Sequence, residues 1–249
     1  MKKGAFYGLL YRELTLIKKS LIISFVTSLS TIVLAFLVVL SFRCGNLALL
    51  DENLKKAVLD DFAIVIKAIP LLAVCLIVNA PSESAATDSN IKWERFRRTT
   101  PVSCLRLALA KYTVFAALTL IAAGYAFGVM ALMCRAMGKT FTSGDADTVL
   151  ALLAAVVIIS VTMQVAVTHF KSTDKAGLAV MGIVIACFIL VIAANSDIFF
   201  GDPSKSNIDI FNQLTKRLAF VLPAIPFIIA AALALGLLAT AMIYKRREK

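Results

Sequence analysis

Residues 20–42 read SLIISFVTSLSTIVLAFLVVLSF, a run with no charged side chain, no glycine and no proline. A helix needs about 20 predominantly apolar residues to cross the hydrocarbon core of a bilayer. This run meets that length, and it has no polar face to present to water. Five further apolar stretches follow at 62–80, 107–133, 148–168, 176–195 and 218–243. Ten-residue segments of alternating hydrophobicity, the mark of a membrane barrel, are absent. The expectation is an all-α integral membrane protein with six transmembrane helices, organised as a single transmembrane domain over residues 1–249.

Composition agrees with that expectation. The 249 residues are 60% hydrophobic and 16% charged, with a mean hydropathy of +0.89. Soluble domains sit near 45–50% apolar, so lipid must serve as part of the solvent. The net charge of +11 would suggest nucleic acid in a soluble chain. Here it follows instead from retention of Lys and Arg on the cytoplasmic side of a membrane, and no nucleic-acid partner is expected. With the N-terminus inside, the inner segments 1–19, 80–111, 169–175 and 245–249 carry 17 Lys and Arg, against 8 in the outer segments 43–61, 134–147 and 196–217. Both termini are therefore expected in the cytoplasm of a multi-pass protein of the bacterial plasma membrane. Lys2, Lys3, Lys18 and Lys19 precede a run too long for the apolar core of a signal peptide.

Five cysteines are scattered singly beside one histidine, which excludes a disulfide framework and an ordinary zinc site. One bridge between Cys44 and Cys134 is conceivable near the outer surface; small apolar packing residues are the plainer reading. No metal or cofactor is expected in this chain.

Four features could carry function. Residues 5–19 place Phe6, Leu9, Leu10, Leu14 and Ile17 on one helical face, which predicts an amphipathic helix along the inner interface before the first span. Glu13 falls inside that stripe, beside Tyr11 and Arg12, and a buried carboxylate needs a partner. A basic residue of the 80–111 segment is the expected one. The inner loop, about 80–106, is the only sizeable cytoplasmic segment. Within it, Asp88, Lys92, Trp93, Arg95, Phe96, Arg97 and Arg98 suggest a short helix over 90–98, capped by Asp88 or Ser89 and ended by Pro101. A solvated loop has little use for Trp93 and Phe96, whereas Trp, Phe and Arg anchor protein interfaces. Lys67 and Gln164 are polar residues inside spans. Lys67 is read as snorkelling past Asp60 and Asp61, and Gln164 as helix glue, with a transport pathway as the functional alternative for both.

Other signals are weaker. Gly124-x-x-x-Gly128 permits close helix approach; Pro70, Pro223 and Pro226 kink or start helices. The segment 196–217 has helical spacing and is read as an interfacial or re-entrant helix. Gly138-Lys139-Thr140 resembles the end of a phosphate loop, but residue 133 is Met133 rather than the glycine that motif requires. No hydrolase motif and no cluster of intramembrane acids appears, so the chain has no recognisable engine of its own.

Two regions resemble the ABC-2-type membrane permeases of bacterial ATP-driven exporters. Gly8-Leu-Leu-Tyr11-Arg12-Glu13-Leu14 followed by Lys18-Lys19 is similar to that family's amphipathic N-terminal helix. Asp88, Trp93, Pro101-Val102-Ser103 and Lys111-Tyr112 match a D…W…PVSR…KY spacing found in the small permeases near phenol-soluble modulin and lantibiotic exporters, with Cys104 where an Arg is usual and Arg106 close by. The resemblance implies a type V exporter-like permease, not an enzyme, that pairs with a second copy or a paralogue. It further implies two copies of a separate ATPase subunit carrying ATP and magnesium, with the inner loop as coupling helix. The implied substrates are amphipathic or antimicrobial, toxin-like peptides. The rivals are a stand-alone secondary transporter, which would show buried acids or paired broken helices, and a non-transporting immunity or assembly protein.

Overall fold

The structure, a computed structural model, describes residues 3–44, 67–68, 71, 76–88, 102–196 and 221–246. Every ordered element among them is helical. We label them α1 (Lys3–Cys44), α2 (76–88), α3 (Cys104–Ala136), α4 (Ser143–Phe170), α5 (Thr173–Ala194) and α6 (Ile225–Arg246), with a 3-10 turn at Leu222–Ala224 before α6; residues 67–68 and 71 are helical as well. Five of these helices are long and apolar enough to span a bilayer. Most of the second predicted span, the segment 196–217 and residues 89–101 lie outside the described residues.

The sequence predicts two helices at the N-terminus and the structure has one. No glycine or proline occurs between Leu9 and Cys44, so nothing interrupts the hydrogen-bond ladder where the basic segment meets the apolar run. The 42 residues of α1 extend about 63 Å at 1.5 Å per residue, roughly twice the hydrocarbon thickness. The buried face also differs from the predicted stripe. It runs through Glu13, Ile17, Ser20, Ser24, Ser28, Ala35 and Val39, while Tyr11 and Leu14 are exposed. Small serines on that face let backbones approach. Ser24 donates to the Leu76 carbonyl at 3.4 Å, Ser28 to the Tyr125 hydroxyl at 3.4 Å, and Phe25 stacks on Tyr125 at 5.9 Å.

The second helix continues eight residues beyond its predicted end near residue 80. Pro81 and the polar run after it look like a loop in sequence, yet Pro81, Ser82, Ser84, Ala85 and Asp88 are buried. The hydroxyls of Ser82 and Ser84 turn back onto the Asn79 and Pro81 carbonyls at 2.7 and 3.0 Å, so they do not compete with the helix for water.

α3 and α4 occupy the centre: α3 packs on α1, α4 and α6, and α4 packs on α5 and α6. Their connection turns at Gly138, whose φ of 75° is left-handed and costs glycine nothing. The Gly138-Lys139-Thr140 triplet is therefore turn chemistry. Thr142 and Asp145 then form a capping box on α4. Gly236 sets how near α6 comes to the centre. A Cβ there would lie 2.5 Å from Val161 and 2.6 Å from the Tyr112 hydroxyl, which also meets Thr240 at 3.3 Å. Gly124 and Gly128 have no atom within 4 Å of where a Cβ would stand, so no described helix of this chain uses that notch. Pro223 and Pro226 lie in the 3-10 turn and first turn of α6, where a missing N–H is tolerated.

Candidate functional site

α1 carries Arg12 to Asp88 at the end of α2 and Glu13 to Lys111 near the start of α3. Glu13 is 2% exposed and Lys111 is 2% exposed, and charges at such burial need partners. Lys111 finds three. Its ammonium donates to Asp88 Oδ2 at 2.6 Å and to Ser84 Oγ at 3.4 Å, and pairs with Glu13 Oε2 at 3.3 Å. Two of its contacts are hydrogen bonds and the third is an ion pair.

Arg12 closes the arrangement. Its Nη1 donates to Glu13 Oε1 at 2.7 Å and its Nη2 to Asp88 Oδ1. Each carboxylate thus gives one oxygen to Arg12 and the other to Lys111. The result is a ring of two cations and two anions with no net charge, tying α1, α2 and α3 together. A balanced ring avoids the several kcal/mol that a single unpaired buried ion would cost.

The expectation that Glu13 meets a basic residue of 80–111 is met by Lys111, the last residue of that segment. Both Asp88 oxygens are held by cations, and the helix expected over 90–98, with its cap, lies outside the described residues. Lys92, Trp93, Arg95, Phe96, Arg97 and Arg98 lie outside the described residues, immediately after Asp88. Tyr11 is 75% exposed and takes no part in the ring. Cys104 is buried with Leu107 and Tyr244, so it packs, and Arg106 points outward. Lys111 is not among the predicted site residues; the sequence signal for it is the Lys111-Tyr112 pair of the family-like motif.

Away from the ring, Lys67 donates to Asp145 Oδ1 at 2.6 Å. Asp145 is also held by the Thr142 backbone N–H at 3.0 Å, the Thr142 hydroxyl at 2.8 Å and the Cys134 thiol at 3.6 Å. The partner of Lys67 is thus Asp145 of α4; Asp60 and Asp61 lie outside the described residues. Cys134 is a buried free thiol, in keeping with the packing reading over the bridge to Cys44. Ser160 of α4 donates to Asn79 of α2 at 3.2 Å. Gln164, one turn further along, is fully buried, and neither its oxygen nor its nitrogen has a hydrogen-bond partner among the described residues.

A family model described as ABC-2 family transporter protein matches residues 57–245. The matched region contains Asp88 and Lys111 and leaves Arg12 and Glu13 outside it. No curated protein and no solved structure matches the chain.

Proposed function

Because the chain belongs to the ABC-2 transporter family, we propose that it is the membrane permease of an ATP-driven peptide exporter, coupled to its ATPase through the charge ring. The chain is a multi-pass membrane protein and a transport subunit. The finer reading adds two separate ATPase subunits that bind ATP and magnesium, docked on Lys92, Trp93, Arg95, Phe96, Arg97 and Arg98. It adds a second permease copy or paralogue, amphipathic or toxin-like peptides as cargo, and both termini in the cytoplasm of a bacterium. Tyr11, exposed beside the ring, belongs to the same docking face. Lys67 and Gln164 remain the pathway candidates, with Lys67 at the outer end.

The observation that carries this reading is the position of the ring. Asp88 is the residue directly before the docking loop, and its two oxygens are fixed to α1 and α3. A displacement of the loop therefore moves three helices as one body. Transport then follows as a switch between two packings of the bundle, biased by the ATPase.

Co-expression with neighbouring genes and purification in mild detergent tests the reading. A nucleotide-binding subunit is expected to co-purify. Trp93→Ala with Arg97→Ala should lower its recovery at least tenfold while membrane insertion is unchanged. Asp88→Asn should leave recovery intact and lower substrate-stimulated ATP hydrolysis. Failure of any nucleotide-binding subunit to co-purify removes the proposal.

A further inference from the structure

Resting on the permease reading above, we propose that Gln164 is the waiting half of a switch between α2 and α4. Its amide pairs with Asn79 once α2 has slid one turn along α4. The two helices share a polar seam in the present packing. Ser160 of α4 donates to Asn79 Oδ1 at 3.2 Å, and Ser82 of α2 donates to the same oxygen at 3.1 Å. Further along, Ala85 of α2 and Val167 of α4 share one buried cluster with Ala176 of α5. The step from 79 to 85 on α2 matches the step from 160 to 167 on α4, so the two helices run side by side in one direction. Gln164 stands between those two contacts, a turn from Ser160 and on the same face of α4.

Two amides on this seam have bonds still to make. Gln164 is fully buried, and neither of its side-chain atoms has a hydrogen-bond partner among the described residues. Buried polar groups in native structures are nearly always bonded, and leaving one idle costs stability. Among the described residues, Asn79 is bonded through its oxygens alone, by Ser82 and Ser160. Its amide nitrogen keeps both of its donors. Each helix therefore carries one amide with unspent hydrogen-bonding capacity, and the two lie one turn out of register.

A slide of α2 by one turn, about 5.4 Å, toward its Asp88 end brings Asn79 level with Gln164. The two amides then bond reciprocally, the nitrogen of each donating to the oxygen of the other. Ser82 travels with Asn79 and keeps its bond. Ser160 falls back on a carbonyl of its own helix, as Thr162 and Thr168 already do at 2.7 and 2.8 Å. The slide therefore strips none of these polar groups of a partner. What it breaks is the apolar cluster of Ala85, Val167 and Ala176. Apolar contact in one packing against two hydrogen bonds in the other gives the near balance that a two-state element needs. One-turn ratchets of one element past another are a known mode of switching. Asp88 directly precedes the docking loop, so a pull on that loop acts along the axis of the slide.

The test sets stability against turnover. The full-length permease is unfolded by heat in detergent, and its complex with the ATPase is reconstituted in liposomes and assayed with ATP. Gln164→Leu should raise the unfolding midpoint by about 2 °C or more. It should also lower kcat for ATP hydrolysis about fivefold or more, since two membrane hydrogen bonds are lost from the second packing, with KM for ATP unchanged. A glutamine that only packs gives the first effect without the second. Double-mutant cycles then separate the two packings. Asn79→Ala and Gln164→Leu should add in unfolding and fail to add in kcat, the double variant being no slower than the slower single. Asn79→Ala and Ser160→Ala should be coupled in unfolding, where their bond exists. An unchanged kcat in Gln164→Leu, additive losses of kcat in the Asn79–Gln164 cycle, or coupling of those two in unfolding overturns the proposal and leaves the permease reading standing. Failure of the ATPase to co-purify removes both.

Discussion

Lys111 shows what a single residue can demand of its surroundings. Its ammonium is held by Asp88, Glu13 and Ser84, and its loss leaves two carboxylates facing Arg12 alone. Lys111→Met should therefore cost about 3–5 kcal/mol, read as a fall in the thermal unfolding midpoint in detergent. Glu13→Gln added to Lys111→Met should recover part of that loss, and the coupling between the two is measured by a double-mutant cycle. Gln164 is the opposite case. Its amide is buried with no bonded partner among the described residues, so replacing it by Leu should stabilise the protein by about 1–3 kcal/mol. Glu13 was legible in the sequence because an acid inside an apolar stripe announces a partner. The identity of that partner was not, because burial of Lys111 depends on three helices meeting, and no local pattern encodes that meeting. The silence around Gln164 was equally invisible: a lone Gln in a span reads as glue until its neighbours are known.

Among the elements, α1 and α6 carry the clearest lessons. The length of α1 follows from what the sequence lacks between residues 9 and 44. A break was expected at the change from basic to apolar composition, but composition alone does not end a helix; a lost hydrogen bond or a left-handed residue does. α2 runs on past the span expected to end near residue 80 for the complementary reason. Serines and an aspartate suggest solvent, yet here they satisfy their own backbone or an ion on another helix. In α6, Gly236 is the point of closest approach. Gly236→Ala should push α6 off Tyr112 and Val161 and destabilise by about 1–3 kcal/mol, with the Tyr112–Thr240 contact lengthened. Gly124→Ala and Gly128→Ala meet open space and should leave unfolding of the monomer unchanged or slightly later, since Ala is the better helix former. Thermal denaturation of the three variants side by side checks this contrast.

For the molecule as a whole, the helical membrane architecture and the family were readable from hydropathy and from two short motifs. The matched residues 57–245 agree with that reading. What hydropathy could not supply was the arrangement: α3 and α4 at the centre, the end of α2 pinned by the ring, and Lys67 paired with Asp145 on α4. Those pairings join residues tens of positions apart and leave no periodic trace. Because the two locks hold different neighbours, Lys67→Met and Asp88→Asn should loosen different parts of the bundle. Hydrogen exchange is expected to rise near residues 142–146 in the first variant and near 104–112 in the second.

The ring also bears on how the chain is made. During synthesis α1 and α2 emerge before α3, bringing Arg12, Glu13 and Asp88 to the membrane ahead of Lys111. A lysine entering the bilayer without a partner raises the insertion free energy by up to about 3 kcal/mol, so the translocon meets a third segment whose welcome depends on the first two. Acids waiting at the exit would lower that cost for a helix whose apolar length already favours insertion. Folding order is then written into the charges: a nascent chain whose first hairpin is faulty would hold α3 at the gate, where quality-control proteases can reach it.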